Sequence, residues 1–272
     1  LSIREAVSRR LVLIGVVLSV AYLAVFAFGF NALYTRAEPS LVDSTQLAVA
    51  ATVMTVLGLY VVRFLAAMLS IFLASSAVAS EIDSGLLHAV LARPLSRTSW
   101  LAQRWLAFVV LSVGYVTLMA GAVMLIANGI ADYVPLAAGR ALIVLAIELA
   151  VLLSVGLLTS TTWSTVTSGV VTFSLFGVAW LAGIIEVIGE QVGSHTMRMI
   201  GIVTSLVIPS DALWRGASFY LQSPAALAFG GAQNGNPFAG VAPPTTTLIV
   251  WSLGYVIVGL LAAGWRLRRR DL

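Results

Sequence analysis

The chain has 272 residues, of which 60% are apolar and 10% charged, with a net charge of +4. Soluble domains carry roughly 45–50% apolar and about 25% charged residues, so a water-facing surface cannot be built from this composition. A helix crossing a bilayer needs about 20 mostly apolar residues, and six stretches of the chain meet that need. The chain therefore reads as an all-α integral membrane protein, one transmembrane domain over residues 1–272.

Three absences restrict the chemistry. There is no Cys, which excludes disulfides, thiol nucleophiles and cysteine metal sites. All 15 basic residues are Arg, so there is no Walker A lysine and no lysine Schiff base. The two histidines, His88 and His195, are too few and too far apart for a metal site and read as exposed polar residues. No nucleophile–base pair or metal set stands out, so the expectation is a protein that is not an enzyme and has no nucleotide site of its own.

In chain order, the first span covers residues 11–30, between Arg9-Arg10 and Asn31. No Ala-x-Ala cleavage pattern accompanies it, so it is expected to be an anchor, not a removed signal. Apolar sequence resumes at Leu47 and runs to Ala79, too long for one upright crossing. Arg63 lies 18 residues before Glu81, or about 27 Å of helix, close to the hydrocarbon thickness. The second span is accordingly expected at 58–79, with Arg63 at its outer boundary and the preceding turns outside or in the interface. The remaining spans are expected at 101–127, 140–158, 166–188 and 247–265, the fourth and fifth joined by a tight Ser/Thr-rich turn.

Six spans place both termini on one side. That side would carry Arg4, Arg9, Arg10, Arg93, Arg97, Arg104, Arg266, Arg268, Arg269 and Arg270. The other would carry Arg36, Arg140, Arg198 and Arg215, with Arg63 assignable to neither, so the positive-inside rule makes the termini cytoplasmic.

The longest outer segment, 189–246, is patterned. Met199, Ile200, Val203, Leu206 and Val207 recur at helical spacing until Pro209. Ser210 is placed to cap a second short helix carrying Leu213, Trp214 and Tyr220. Such stretches are too short to span, which predicts interfacial or re-entrant helices.

The connection between spans two and three, residues 80–98, reads as an amphipathic surface helix. Leu86, Leu87, Val90 and Leu91 form its apolar stripe. Glu81 and Asp83 stand at its start and Arg93 at its end, as the helix dipole favours; Pro94 terminates it and Ser96-Arg97 begins the return. A surface helix of this kind is a handle for a cytoplasmic partner.

This segment resembles the permeases of ATP-binding-cassette exporters of the type-2 family: a Glu at the end of span two, Gly85 four residues on, a leucine-rich turn, then Pro-Leu-Ser-Arg. The likeness covers residues 81–97 in motif and the whole chain in architecture, including the Arg-rich start, the tail Arg-Arg-Arg-Asp-Leu and the long outer segment. The chain departs from the pattern at Leu86, where many members have Thr, and at Gln103-Arg104, where Lys is common.

The resemblance implies a coupling helix at 80–98 that docks a separate ATPase, which binds ATP and Mg. Glu81 and Gly85 would hold that helix, while Arg93 and Arg97 would meet acidic or carbonyl groups on the ATPase, or lipid phosphates. It further implies a second permease copy forming a homodimer and re-entrant gating helices in the outer segment. The expected location is a cell inner (cytoplasmic) membrane, with no nucleic-acid partner, and the use of Arg without Lys hints at a bacterial source. For Arg97 the positive-inside rule alone is an equal explanation.

Two charges fall inside spans. Glu148 is the acid nearest the middle of one, with apolar Val144, Leu152 and Val155 on its face, so no relay is visible there. Arg63 shares a face with Ala66, Ala67, Ser70 and Ala74, small residues that let another helix approach. It either caps an outer vestibule or anchors to headgroups. Ser164, Ser168, Gly169, Thr172 and Gly177 read as helix packing, or as a translocation wall formed with a second copy. Alternative functions are an ion-coupled transporter using Glu148, or a non-transporting membrane partner of an ATPase.

Overall fold

The computed structural model describes residues 2–36, 44–78, 97–228 and 238–269. Among them the fold is all-α: α1 Ser2–Arg36, α2 Ser44–Ala77, α3 Arg97–Ala131, α4 Ala138–Ser160, α5 Thr165–Val192, α6 His195–Val207, α7 Ser210–Leu221, α8 Pro224–Ala228 and α9 Thr246–Arg268. Six of these, α1 to α5 and α9, are long and apolar enough to cross a membrane. The chain is a multi-pass membrane protein. Helices form wherever the apolar runs lie because, without water, only intrahelical bonds satisfy the backbone.

Apolar clusters fix the up-and-down order. At one end Ala77, Val78, Leu101, Leu157, Ala263 and Leu267 gather, bringing together the end of α2, the start of α3 and the ends of α4 and α9. At the other, Phe30, Ala51, Ala127 and Tyr133 join the end of α1, the start of α2 and the end of α3. These are called the near and far ends below. α4 is the central helix: 72% of its apolar window is buried, against 11% for α1.

α2 starts at Ser44 and is one continuous helix to Ala77, so the turns before residue 58 and the span expected at 58–79 belong to a single helix. Its small-residue face does what its spacing predicts. Ala66, Ala67, Ser70 and Ala74 are fully buried. The tightest approach is at Gly156 of α4, where an added Cβ would lie 2.6 Å from Ala74 Cβ.

The turn between α4 and α5 is stitched by hydroxyls. Thr159 Oγ1 bonds Gly156 O at 2.9 Å and shares hydrogen bonds with Ser168 at 2.6 Å and Thr172 at 3.1 Å. Ser168 and Thr172 therefore serve helix packing. Gly177 does not: a Cβ there would meet nothing within 4 Å.

α5, α6 and α7 form a zigzag. Gly193, at φ 73°, ends α5 in the left-handed region that glycine adopts at little cost, and Ser194 caps α6 by accepting from Met197 N. α6 then runs back along α5. Contact is close because Gly189 faces Met197 and Gly201 faces Glu186; a Cβ at either glycine would come within 2.6 Å of the opposing Cβ. At Ile208-Pro209 the chain bends by 101° into α7. Ile208 is buried among Ala67, Ile71, Leu152, Phe176 and Ala179.

The two stripes of the outer segment face opposite ways. Met199, Ile200, Val203, Leu206 and Val207 of α6 are exposed. Leu213, Trp214, Ala217 and Leu221 of α7 are buried in the main core with Val56, Leu59, Val144, Leu145 and Leu149. Ser210 is not the cap it is expected to be. Pro209 occupies the cap position, and Ser210 lies in the first turn with its hydroxyl buried and unbonded.

The packing predicts an asymmetry between two glycines. Gly156→Val forces α2 and α4 apart, and overpacking of this kind costs about 1–3 kcal/mol. Gly177→Val enters open space. In detergent, the first variant is expected to show a lowered melting midpoint by size-exclusion after heating, and the second an unchanged one. Equal midpoints would mean that α2 and α4 are not in close contact at Gly156 and Ala74.

Candidate functional site: a buried ionic chain

Arg63 projects from the middle of α2 into the bundle and is 1% exposed. Its Nε and Nη2 both reach Glu148 Oε1, each at 2.7 Å. Glu148 is fully buried, ten residues after Ala138 and twelve before Ser160, so the pair sits level with the middle of α4. Arg63 is thus no headgroup anchor at an outer boundary. A guanidinium with a carboxylate beside it inside the bundle has no need to reach water.

The pair continues into α7. Arg63 Nη2 donates to Ser210 O at 3.3 Å, and Nη1 lies 4.0 Å from Asp211 Oδ1. Asp211 Oδ2 stands 3.2 Å from Arg215 Nε one turn on, and Arg215 Nη2 donates to Glu186 Oε2 of α5 at 2.6 Å. Charges alternate along the chain: Glu148, Arg63, Asp211, Arg215, Glu186. It crosses four helices, α4, α2, α7 and α5.

Three features hold it. Asp211 is in the first turn of α7, where the helix dipole favours a carboxylate. Two glycines make room, since a Cβ on Gly183 would lie 1.8 Å from Asp211 Oδ2 and one on Gly201 would lie 2.4 Å from Glu186 Oε2. Aromatic faces complete the surroundings of Arg63: its guanidinium carbon is 5.6 Å from the Tyr60 ring, 5.2 Å from Phe176 and 5.4 Å from Trp214. Cation–π contacts gain strength when desolvated.

One carboxylate oxygen, Glu148 Oε2, is buried without a hydrogen-bond partner, because both guanidinium nitrogens converge on Oε1.

The far end of α7 is anchored as well. Leu136 N and Ala137 N donate to Gln222 O and Tyr220 O, both at 2.9 Å, and the Tyr133 hydroxyl donates to Leu221 O. Burial of Tyr133 pushes its phenol pKa above the usual value. Trp214 Nε1 donates to Phe238 O at 2.9 Å, and Gln222 Nε2 to Gly240 O at 2.7 Å.

The docking residues expected from the sequence fall elsewhere. Glu81, Asp83, Gly85, Arg93 and Pro94 lie outside the described residues, as does His88. Arg97 opens α3, but its side chain is likewise outside them. The helix ends flanking this connection, Ala77–Val78 and Leu101, pack together at the near end. His195 opens α6.

Sequence reasoning singled out Arg63 and Glu148 without joining them, and passed over Asp211, Arg215 and Glu186. The available signal was the Asp211/Arg215 pair, an acid four residues before a base on a short helix. The face of Glu148 on α4 could not reveal its partner, which comes from another helix.

Among the described residues no group of three His, Cys, Asp or Glu is placed to hold a metal ion. Comparison of the chain with models of known protein families and with curated proteins gives no match.

Breaking a buried pair by removing one partner typically costs about 3–5 kcal/mol, while an apolar pair of similar volume can be neutral. Arg63→Met and Glu148→Met are therefore each expected to lower the yield and melting midpoint of folded protein. The double variant is expected to recover most of the loss. Additive losses in the double variant would show that the two charges do not depend on each other.

Proposed function

We propose that the chain is the membrane-spanning permease of an ATP-binding-cassette exporter, active as a homodimer and driven by separate ATPase subunits. What carries this reading is the placement of two elements: a motif-bearing connection leaves the bundle at the near end between α2 and α3, and the bent α6–α7 pair is inserted between α5 and α9. In this reading residues 80–98 form the coupling helix that the ATPase grips, with both termini on the same, cytoplasmic, face of the inner membrane. ATP and Mg belong to the partner, and the permease carries out no chemistry of its own.

The α6–α7 pair is, in this reading, a re-entrant hairpin and the exit gate. Its support is the burial of Ile208, at the bend, against Ile71 and Phe176. The exposed stripes of α5 and α6, which include Val170, Phe173, Leu181, Val203 and Leu206, would face lipid or the second copy. The few fixed charges suit amphipathic or hydrophobic cargo better than a bare ion.

An ion-coupled carrier built on Glu148 has less support. A carrier carboxylate must bind and release its ion, and Glu148 is already held by Arg63 at 2.7 Å.

Purification of the tagged chain from its native membrane in mild detergent is expected to bring down a P-loop ATPase in equal amount. Glu81→Arg and Arg97→Glu are expected to leave insertion intact while separating ATP hydrolysis from transport. Coupled transport at normal rates by both variants would refute the docking assignment. Transport by the chain alone, driven by an ion gradient, would replace the whole reading with the Glu148 one.

A further inference from the structure

The ionic chain performs a task that packing alone does not require. Along α7, apolar contact with α2 and α4 already exists through Leu213, Trp214 and Ala217. Burying charge beside it adds a desolvation cost that an apolar pair of equal volume avoids. Such a network suits a mechanical role, since ionic contacts are directional and fix register where apolar contacts allow sliding.

Arg63 is the α2 residue whose charged contacts reach both α4 and α7. Fourteen residues further along, α2 ends at Ala77, where the connection to α3 departs. From its other side Arg63 holds three features of the first turns of α7: the Ser210 carbonyl, the Asp211 carboxylate and the Trp214 ring. The opposite carboxylate, Glu148, ties the same guanidinium to α4, the most buried of the six long helices. A displacement of α2 along its axis therefore acts directly on the bend at Ile208-Pro209. Arg215–Glu186 then carries it on to α5, against which α6 is packed through Gly189 and Gly201.

We infer that Arg63 is the positioning residue that couples α2 to the α6–α7 hairpin, so that motion imposed on the near end of α2 is delivered to the hairpin through the Arg63–Ser210/Asp211 contacts. This rests on the export reading above, and it assigns the transmission step within it. Lysine at position 63 keeps the charge but loses the fork that serves Glu148, Ser210 and Asp211 together. Asp211→Asn keeps the shape and removes the charge on the hairpin side alone, leaving the Arg63–Glu148 pair in place.

The chain has no Cys, so single spin labels can be placed cleanly. One is attached at Phe72→Cys on α2, 69% exposed, and the other, in a separate preparation, at Val203→Cys on α6, 53% exposed. Each is examined in the complex purified with its ATPase and reconstituted into nanodiscs, without nucleotide, with Mg-ATP, and with Mg-ATP trapped by vanadate. In the unmutated background both spectra are expected to change on trapping. With Arg63→Lys, and with Asp211→Asn, the change at Phe72 is expected to persist while that at Val203 is lost.

A retained Phe72 response also shows that the variant is folded and still engaged by the ATPase. If both positions still respond in both variants, the coupling role of Arg63 is wrong and the export reading stands. Loss at both positions in both variants assigns the network to general stability and equally overturns the coupling role. If neither position responds in the unmutated complex, the export reading fails and this inference with it.

Discussion

A guanidinium that cannot reach water must be neutralised where it stands, and Arg63 sets that condition for the bundle. Its charge is met on one side by Glu148 and on the other by Asp211, with three aromatic faces around it. Removing either acid from the interior would leave charge in a medium that solvates it poorly. The positions of α4 and α7 relative to α2 are consequently linked. Rotation of α4 by one residue, about 100°, would carry Glu148 away from Arg63 and turn another residue toward it. Helix rotation is therefore specified electrostatically at mid-depth, where apolar side chains of similar size would tolerate several settings.

The same condition explains the placement of glycine. Asp211 needs space beside α5, and Gly183 supplies it; Glu186 needs space beside α6, and Gly201 supplies that. These glycines are there for the close approach of charged side chains, not for backbone freedom, since both lie within helices. At the near end the polar work is done differently. Thr159, Ser168 and Thr172 bond one another and the Gly156 carbonyl, using neutral groups where α4 turns into α5. Neutral hydroxyls hold a turn at low cost. At mid-bundle, full charges join helices distant in sequence, Arg63 of α2 to Glu148 of α4 and Arg215 of α7 to Glu186 of α5.

Much of the architecture was legible because its cause is local. Runs of twenty apolar residues with few charges leave one outcome in lipid, and α1, α3, α4, α5 and α9 each contain the stretch expected for them. Pro209 stopped α6 as its missing N–H requires, although the cap of α7 fell one residue before Ser210. Arg63 was read as a boundary residue because hydropathy treats a lone charge as a boundary marker. Composition along one helix carries no information about a carboxylate on another. The site was illegible for the same reason: Glu148 and Arg63 are 85 residues apart and Arg63 and Ser210 are 147 apart. Their meeting depends on how α2, α4 and α7 pack. Amphipathicity showed that α6 and α7 each carry an apolar stripe, but not that one faces outward and the other inward.

That difference between α6 and α7 has a structural consequence. α7 is fixed at its start by Arg63, along its length by Leu213, Trp214 and Ala217, and at its end by the backbone of residues 136 and 137. α6 buries only Gly201 and is held by α5 on one side and by the Trp251 indole, which donates to Leu206 O at 3.2 Å. The inner leg is thus integral to the bundle, while the outer leg rides on α5. Displacing α7 requires breaking charged contacts in a dry interior; displacing α6 requires sliding a glycine-lined seam. Any motion that reaches α7 through Arg63 must accordingly carry α6 with it, because the chain between them is only Ile208 and Pro209. The same two-residue link acts in the other direction, so a displacement of α6 large enough to strain it also loads the charged contacts that hold α7.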